Sequence, residues 1–400
     1  MRKQSYDILI IGAGIFGLAA AIELRKRAFK VALINPDRIP HPRAASTDIS
    51  KIVRMEYGSD LQYFEMAAEA IRGWRHWNVL LGEKVFHEIG FLLLMQHPIT
   101  HANQLFEKNN QHLLEEKGFP YEVFDAAMIK SLFPAINPAF FPHALFSKSA
   151  GFVKSAKAIQ ALAFHAQQLG VKIYEGQCGE DLLIEKNKVV GIRTLEGESF
   201  YAEHTLVAAG AHSSTLIPGL KNVLKPTGHP VFHLAPKEKS IFEHPRLPVF
   251  SADLSNTGWY GFPYDSKAAV VKVAQHSNGI PVDPERDDRR VGDNQVKDMR
   301  AFFGQAFPAL HKAPLVYTRI CLYTDTPDGH FWIDRFPTVE GLSVASGGSG
   351  HAMKMGPVLG PIIADMIEEK PNPWLDRFRR RTFDGGVSPQ EEARFFKEIS

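Results

Sequence analysis

The first apolar stretch of the chain leads directly into a glycine turn and then into a helical pattern. Residues 8–11 are apolar without interruption, which is typical of a strand buried on both faces of a parallel sheet. The spacing G-x-G-x-x-G follows, and it permits a tight turn, a close approach of a pyrophosphate to the backbone, and close packing of helix on strand. The order strand, glycines, helix predicts a dinucleotide-binding unit. Its predicted cofactor contacts are Gly12, Gly14, Ile15, Phe16 and Gly17.

The next strand is predicted over residues 30–34, as the parallel neighbour of the first. Asn35 stands at its end, where such folds usually have an acidic residue for the ribose hydroxyls. Asparagine can still hydrogen-bond a ribose diol, but it contributes no charge. Asn35 is therefore a candidate cofactor contact that departs from the usual pattern.

Residues 44–58 predict a short helix, with Ser46 or Thr47 as its N-cap. Such a helix places Lys51 and Arg54 about one turn apart. On this stretch alone, the two side chains are best interpreted as a solvated charged face.

The remaining pattern alternates helices with strands. Two separate regions without a chemical motif are interpreted as parts of one inserted domain. Residues 151–153 are expected to resume the dinucleotide-binding unit, and residues 205–211 are expected to form a buried strand ending in small residues. The other elements expected are a helix over 61–81, a strand over 90–95, a helix over 155–169, and strands over 170–175, 259–262 and 268–274.

A second glycine turn lies near the end of the chain. Residues 342–346 predict a strand, a cluster of glycines follows, and a helix is expected from about His351. A cofactor served by two such turns fits FAD better than NAD, with the pyrophosphate at the first turn and the isoalloxazine at the second. The glycines of this turn are Gly347, Gly348 and Gly350.

The fold class predicted is α/β: a Rossmann-like FAD-binding domain with an inserted α+β substrate domain that contains a mixed or antiparallel sheet. The predicted FAD-binding domain is discontinuous. It comprises residues 1–60, 150–220 and 320–375, the substrate domain comprises 61–149 and 221–319, and 376–400 form a C-terminal tail.

Composition excludes several functional classes. With 46 basic and 44 acidic residues the net charge is only +2, so the chain lacks the excess of basic residues that is typical of nucleic-acid-binding proteins. No apolar stretch is long enough for a membrane span. Cys178 and Cys321 are the only cysteines, which fits a reducing cytoplasm. Histidines four apart occur twice, but a proline follows the first of each pair, so no metal site is expected.

One segment near the second glycine turn has a distinctive spacing of residues. It comprises Cys321, Tyr323, Thr324, Thr326, Asp328, Phe331, Ile333 and Asp334, followed by Gly350, His351 and Lys354. This spacing resembles that of monomeric sarcosine oxidase, N-methyltryptophan oxidase, pipecolate oxidase and the fructosyl amino acid oxidases (amadoriases), within the D-amino-acid-oxidase-like flavoenzymes. The resemblance spans nearly the whole chain.

The resemblance implies a role for each matching residue. It implies that Cys321 bonds FAD covalently through sulfur, that Arg54 and Lys354 bind the substrate carboxylate, and that Lys272 activates oxygen. Gly350 is also expected to contact substrate. His276, Tyr260 and Tyr323 match polar residues on the substrate side and, with Lys51 and Lys272, are the catalytic candidates. Residues expected to contact FAD are Asn35, Ser50, Lys51, Gly210, Cys321, Gly347, Gly348, Gly350, His351 and Lys354.

The activity implied is oxidation of the C–N bond of an N-substituted amino acid to an imine, which hydrolyses, with O2 reduced to H2O2. A monomer acting on a small amino acid is expected. Lys51 replaces an arginine of sarcosine oxidase and is similar to the amadoriase branch, while Met353 replaces an aromatic residue. A fructosyl amino acid oxidase is therefore the alternative. A non-catalytic or tRNA-directed flavin-binding module is the alternative from another class, which the intact clamp and the lack of a basic surface disfavour.

Overall fold

The structure is a computed structural model that describes residues 5–383, 392 and 394. Most of the predicted tail, residues 376–400, therefore lies outside the described residues. The strands are β1 Ser5–Ile11, β2 Val31–Asn35, β3 Lys51–Val53, β4 Phe86–Glu88, β5 Phe91–Met95, β6 Tyr121–Asp125, β7 His143–Ser147, β8 Gly151–Val153, β9 Lys172–Glu175, β10 Gly179–Glu185, β11 Lys188–Thr194, β12 Ser199–Val207, β13 Lys225–Leu234, β14 Val249–Ala252, β15 Trp259–Gly261, β16 Val271–Gln275, β17 Ile280–Pro281, β18 Leu315–Asp325, β19 Trp332–Arg335 and β20 Leu342–Ser346. The α-helices are α1 Ile15–Lys26, α2 Leu61–Leu80, α3 Leu105–Glu116, α4 Ala126–Leu132, α5 Ser155–Gln168, α6 Ser213–Leu216, α7 Leu254–Thr257, α8 Asp293–Ala306 and α9 Gly356–Ile367.

The first sheet contains the predicted dinucleotide-binding unit. Five of its strands are parallel in the order β9-β2-β1-β12-β20, and β10, β11 and β19 extend it in antiparallel fashion. Residues 8–11 are buried except for a residual exposure of a few per cent, as expected for a strand covered on both faces. The helix α1 begins directly after Gly14 and packs against α5 and α9. The Rossmann-like fold class is confirmed.

The second sheet has nine strands and holds most of the remaining β structure. Its longest pair is β13 with β18, which run antiparallel and place Cys321 opposite His229. On its other side β13 pairs with β16, where Lys272 lies opposite His233. This sheet therefore brings together chain segments that are far apart in sequence.

A small third sheet joins β3, β8 and β4. Its presence makes two predictions wrong. Residues 44–58 form no helix: residues 51–53 pair antiparallel with β8, because that strand supplies the hydrogen bonds and the β-branched Ile52 and Val53 favour extended backbone. Residues 151–153 consequently belong to this small sheet and not to the parallel one, whose strands resume at β9.

The helix after the second glycine turn begins later than expected. Residues 353–355 form a single 3₁₀ turn, and α9 starts at Gly356, with Pro357 in its first turn. Proline suits that position because its fixed φ matches a helix start and its missing N–H has no intrahelical partner there. The strand predicted to reach residue 211 also ends at Val207, and residues 210–212 form a 3₁₀ turn. Within the described residues, no helix is both long and apolar enough to cross a membrane.

Candidate active site

The first glycine turn is closed so tightly that side chains are excluded at two positions. Gly12 has a φ of +106°, and a Cβ there would lie 2.6 Å from the carbonyl oxygen of Ala208. At Gly17 a Cβ would lie 1.9 Å from the carbonyl oxygen of Gly12. The backbone at the start of α1 is therefore held directly against the ends of β1 and β12.

Asn35 fastens this turn to the end of β2. Its Oδ1 accepts a hydrogen bond from the backbone N–H of Ala13 at 3.1 Å, and its Nδ2 donates to the carbonyl oxygen of Asp37 at 2.6 Å. The amide thus organises the turn, a role that an ionised aspartate could fill only in part because it has no donor.

The second glycine turn lies beside the first and against β18. Gly350 has a φ of +82°, and a Cβ there would lie 2.3 Å from the ring of Tyr323. The backbone N–H of Ser349 donates to the carbonyl oxygen of Thr324 at 3.1 Å. A Cβ at Gly348 would be 3.5 Å from the ring of Phe16, in the first turn of α1. The two turns predicted to serve one cofactor are therefore neighbours in space.

Cys321 lies buried on β18 among cationic side chains. Its Sγ is 3.6 Å from Nζ of Lys51 and 3.7 Å from a terminal nitrogen of Arg319. Burial raises the pKa of the thiol, but the charges of Lys51 and Arg319 outweigh burial and bring the pKa below its usual value. Such an environment favours the thiolate, the nucleophilic form of cysteine.

Lys272 is buried on β16, with 2% of its surface exposed. Its Nζ is 2.8 Å from Oδ2 of Asp48 and donates to the carbonyl oxygen of Ser50 at 2.5 Å. Burial lowers the pKa of Lys272 to about 8, although the carboxylate of Asp48 acts in the opposite direction. Lys272 is therefore a buried lysine of β16, paired with Asp48, and not a solvent-exposed one.

A cavity of about 120 Å³ reaches the side chain of Lys272. Phe152 and Phe262 form apolar parts of its wall, and the Lys272 ammonium lies 4.8 Å from the centre of the Phe262 ring. Lys154 also lines this cavity. Lys272 therefore lines a cavity that is large enough for a small molecule.

Arg54 and Lys354, the predicted carboxylate clamp, converge on the ring of Tyr57. The guanidinium of Arg54 lies 5.2 Å from the ring centre and the ammonium of Lys354 lies 4.7 Å from it. Nζ of Lys354 also donates to the Tyr57 hydroxyl at 3.1 Å. All three residues are buried. Sequence reasoning missed Tyr57, which follows Arg54 by three residues.

His351 contacts the same Tyr57 hydroxyl as Lys354 does. The Tyr57 hydroxyl lies 3.0 Å from Nδ1 of His351, and Nε2 lies 3.0 Å from the carbonyl oxygen of Gly329. Because a carbonyl oxygen accepts only, Nε2 is assigned the proton and Nδ1 accepts from Tyr57. The hydrogen bonds thus run from Lys354 through Tyr57 and His351 to the backbone, which fixes the orientation of the lysine.

The predicted substrate-side residues gather around Tyr323. The centre of the His276 ring lies 5.9 Å from that of the Tyr323 ring. The ring of His229 stacks on the Tyr323 ring, with 3.7 Å between their centres. Burial raises the pKa of both Tyr260 and Tyr323, so their hydroxyls are neutral at physiological pH. His229 was assigned no role from sequence, where it had been interpreted only as one of a histidine pair.

Two further charged residues of the site, Asp48 and Arg319, were missed by sequence reasoning. Arg319 precedes Cys321 by two residues, so both side chains project from the same face of β18. That alternation could have identified Arg319 once Cys321 was chosen. Asp48 gave no comparable signal, because its partners on β16 and β18 are more than two hundred residues away in sequence.

Residues 7–366 match the DAO family, described as FAD dependent oxidoreductase. The chain belongs to this family. The L-saccharopine oxidase of Schizosaccharomyces pombe is 28% identical, over 95% of this chain and 94% of that protein. A monomeric sarcosine oxidase of Bacillus sp. (strain NS-129) is 27% identical, over 90% of this chain and 92% of that protein. The crystal structure of Amadoriase I, a fructosyl amine:oxygen oxidoreductase from Aspergillus fumigatus, superposes with a TM-score of 0.79, at 26% identity, and covers 95% of this chain and 90% of that one.

The residues of this DAO-family oxidoreductase suit FAD. The first turn of α1 has no acidic residue that would repel a pyrophosphate at the helix N-terminus, and the Ser46 hydroxyl accepts a hydrogen bond there from the N–H of Ile15 at 3.1 Å. Next to Lys51, the hydroxyls of Ser50 and Thr47 are buried without a hydrogen-bond partner among the described residues. Buried hydroxyls rarely remain unpaired, and the polar groups of a flavin would supply the missing partners.

Proposed function

We propose that this enzyme oxidises the C–N bond of an N-substituted amino acid, such as sarcosine, an N-methyl amino acid or pipecolate, to an imine. Water then hydrolyses the imine to an amine and a carbonyl compound, and O2 is reduced to H2O2. When bound, FAD supplies the acceptor for the two electrons of the C–H bond. The observation that supports this proposal most is the buried convergence of Arg54 and Lys354 on Tyr57.

In this proposal the clamp binds the carboxylate of the substrate. The planar guanidinium of Arg54 suits a carboxylate geometrically, while the ammonium of Lys354 adds a point charge already oriented by Tyr57. Their burial increases the strength of both contacts, because competing water is excluded. A carboxylate in the substrate is thus recognised apart from whatever group is attached to its nitrogen.

The cations of the site also favour the reactive form of the substrate. An amine transfers its α-hydrogen as hydride only when its nitrogen is unprotonated, and Lys51, Arg54, Lys272 and Lys354 disfavour an additional positive charge. Tyr260 and Tyr323 stay neutral, so they offer hydroxyl groups and no negative charge to attract an ammonium. No side chain is therefore required as a general base in this proposal.

We assign the oxygen side of the reaction to Lys272. Its positive charge would stabilise negative charge that develops on dioxygen, and the cavity that Lys272 lines has room for a molecule of that size. Cys321 is proposed as the covalent attachment point of FAD, which its cationic surroundings support by favouring the thiolate. We also propose that the enzyme is a monomer and that it is located in the cytoplasm.

A second candidate, fructosyl amino acid oxidase, is favoured by Lys51 in place of arginine and by the similarity to Amadoriase I. The two candidates differ in the group attached to nitrogen and not in the clamp. Saccharopine, named by the first relative above, is also a secondary amine with carboxylates, so it belongs in the same comparison.

A substrate screen for peroxide tests the proposal. Sarcosine, N-methyl amino acids, pipecolate, saccharopine and fructosyl amino acids are offered to the purified enzyme, and H2O2 is measured with a peroxidase-coupled dye. We expect turnover with at least one N-alkyl or cyclic amino acid. Turnover of fructosyl amino acids alone would establish the alternative. If no compound yields peroxide or bleaches the flavin under anaerobic conditions, the enzymatic proposal is wrong and a non-catalytic module is favoured.

A further inference from the structure

Asp48 is a buried carboxylate at the junction of β3 with the second sheet. Its side chain is 3% exposed, and it faces three strands of that sheet at once. Oδ2 lies 2.8 Å from Nζ of Lys272 on β16 and 3.4 Å from a terminal nitrogen of Arg319 on β18. Oδ1 lies 3.6 Å from Nε2 of His233 on β13. Of these three neighbours, Lys272, the proposed oxygen-side lysine, therefore lies closest to the carboxylate of Asp48.

The backbone around Asp48 holds this carboxylate in place. Its carbonyl oxygen accepts hydrogen bonds from the Ser155 hydroxyl at 2.8 Å and the Ala156 N–H at 2.9 Å, at the start of α5. Its Oδ1 accepts from the N–H of Ile49 at 2.7 Å. Because helix α5 is part of the FAD-binding half of the molecule, Asp48 links that half to the lysine on the second sheet.

Several groups that titrate or carry charge surround Lys272 and Asp48. Lys51 on β3, Arg319 and Cys321 on β18, His233 on β13 and Tyr260 on β15 all contribute to the electrostatics of this pair. Burial, Lys51 and Arg319 all act to lower the pKa of Lys272, and Asp48 acts to raise it. Burial acts to raise the pKa of Asp48, but the cations led by Lys272 hold it well below its usual value, so Asp48 is ionised.

We propose that Asp48 is a positioning residue that keeps Lys272 protonated and its ammonium fixed while oxygen is reduced. This inference rests on the oxygen-side role proposed above for Lys272. The ammonium donates a hydrogen bond to the Ser50 carbonyl oxygen and lies 2.8 Å from Oδ2 of Asp48, so it is held between these two oxygens. The single carboxylate thus offsets the repulsion of the neighbouring cations without neutralising the site.

The consequence is a shift in the pH at which Lys272 loses its proton. An opposite charge within about 4 to 6 Å changes a pKa by roughly 1 to 3 units, and for a lysine the carboxylate raises it. Removing that charge in Asp48→Asn should therefore let Lys272 deprotonate at lower pH. Asp48→Glu retains the charge on a longer side chain and should restore most of the effect.

The direct test measures protonation of Lys272 and not activity. The purified holoenzyme is labelled with acetic anhydride over a range of pH, and acetylation of Lys272 is quantified by mass spectrometry. The wild-type midpoint should lie near 8. The Asp48→Asn midpoint should fall by at least about one pH unit, and the extent of acetylation of Lys154, which lines the same cavity, serves as the internal control.

A second measurement connects protonation with the oxygen reaction. Stopped-flow reoxidation of the reduced enzyme by O2 should lose rate at lower pH in Asp48→Asn than in wild type, with anaerobic reduction by substrate changed less. An unchanged Lys272 midpoint, or faster reoxidation throughout the pH range, would overturn the inference. If Asp48→Asn does not fold, the acetylation midpoint of Lys272 in the wild type decides the inference. A midpoint below pH 7 overturns the proposed role of Asp48, and one near 8 supports it. Should no amino acid reduce the flavin, the proposed function fails while the labelling result still decides the role of Asp48.

Discussion

Replacing Lys272 by methionine separates the oxygen reaction from the amine reaction. Methionine retains most of the length and the apolar contact with Phe262 but removes the charge. Asp48 loses its partner at 2.8 Å and keeps Arg319 at 3.4 Å, so its carboxylate is not left alone in the core. We therefore expect the variant to fold with reduced thermal stability, since losing one partner of a buried ion pair is destabilising.

The expected loss of rate follows from the charge. A unit charge about 5 Å from an anion that develops on oxygen, in an effective dielectric of about 20, stabilises it by roughly 3 kcal/mol, or about two powers of ten in rate. Lys51 and Arg319 retain their positive charges in the variant and reduce the effect. We expect reoxidation to slow by at least about tenfold, with hydride transfer from substrate affected less.

Stopped-flow spectroscopy measures both steps separately. The flavin is reduced anaerobically by substrate, and the reduced enzyme is then mixed with buffers of known O2 concentration. Lys154→Met, which removes a charge from the same cavity without touching Asp48, serves as the matched control and should leave both steps unchanged. Equal slowing of both half-reactions, or of neither, would refute the assignment of Lys272 to oxygen.

Four further outcomes are expected. In wild type the reoxidation rate should fall as pH rises through about 8, because Lys272 then loses its ammonium charge; a flat profile from pH 6 to 10 argues against it. Arg54→Ala should weaken substrate binding roughly ten- to a hundredfold, and an esterified substrate should suffer likewise, so equal turnover of ester and acid would contradict the clamp. Acid-precipitated wild type should stay yellow while Cys321→Ser releases its flavin, and flavin in the wild-type supernatant would exclude the covalent bond. Gly17→Ala should lower the thermal stability and the FAD content, because its Cβ would strike the carbonyl oxygen of Gly12. A melting temperature and a flavin absorbance equal to those of wild type would count against this reading of the turn.

Local sequence was sufficient to predict the elements whose signals lie next to one another in the chain. The apolar strand 8–11, the glycines that follow it, and helix α1 are adjacent in the chain, so their order alone predicted the dinucleotide-binding unit. Helices α2 and α5 were placed within one residue at each end, because their apolar residues repeat with the period of a helix.

Strand β3 shows where such reasoning fails. Its three residues form a strand only because β8, a hundred residues later in the chain, offers an edge to pair with. A capping residue followed by apolar positions describes a helix equally well, and no local signal distinguishes the two. The same limit explains why the helix near His351 was expected too early, since Gly350 is held by its packing on Tyr323.

What the sequence determined by itself is the family, the two glycine turns and the identity of the residues that match the family pattern. The tertiary structure decided which charges meet. Lys354 joins Arg54 at the ring of Tyr57, and Asp48 reaches Lys272, through contacts that join residues 48–57 to residues more than two hundred positions away. The reason is physical: the energy of a buried charge depends on its partners in three dimensions, and side chains that lie far apart in the chain acquire those partners only when the sheets pack.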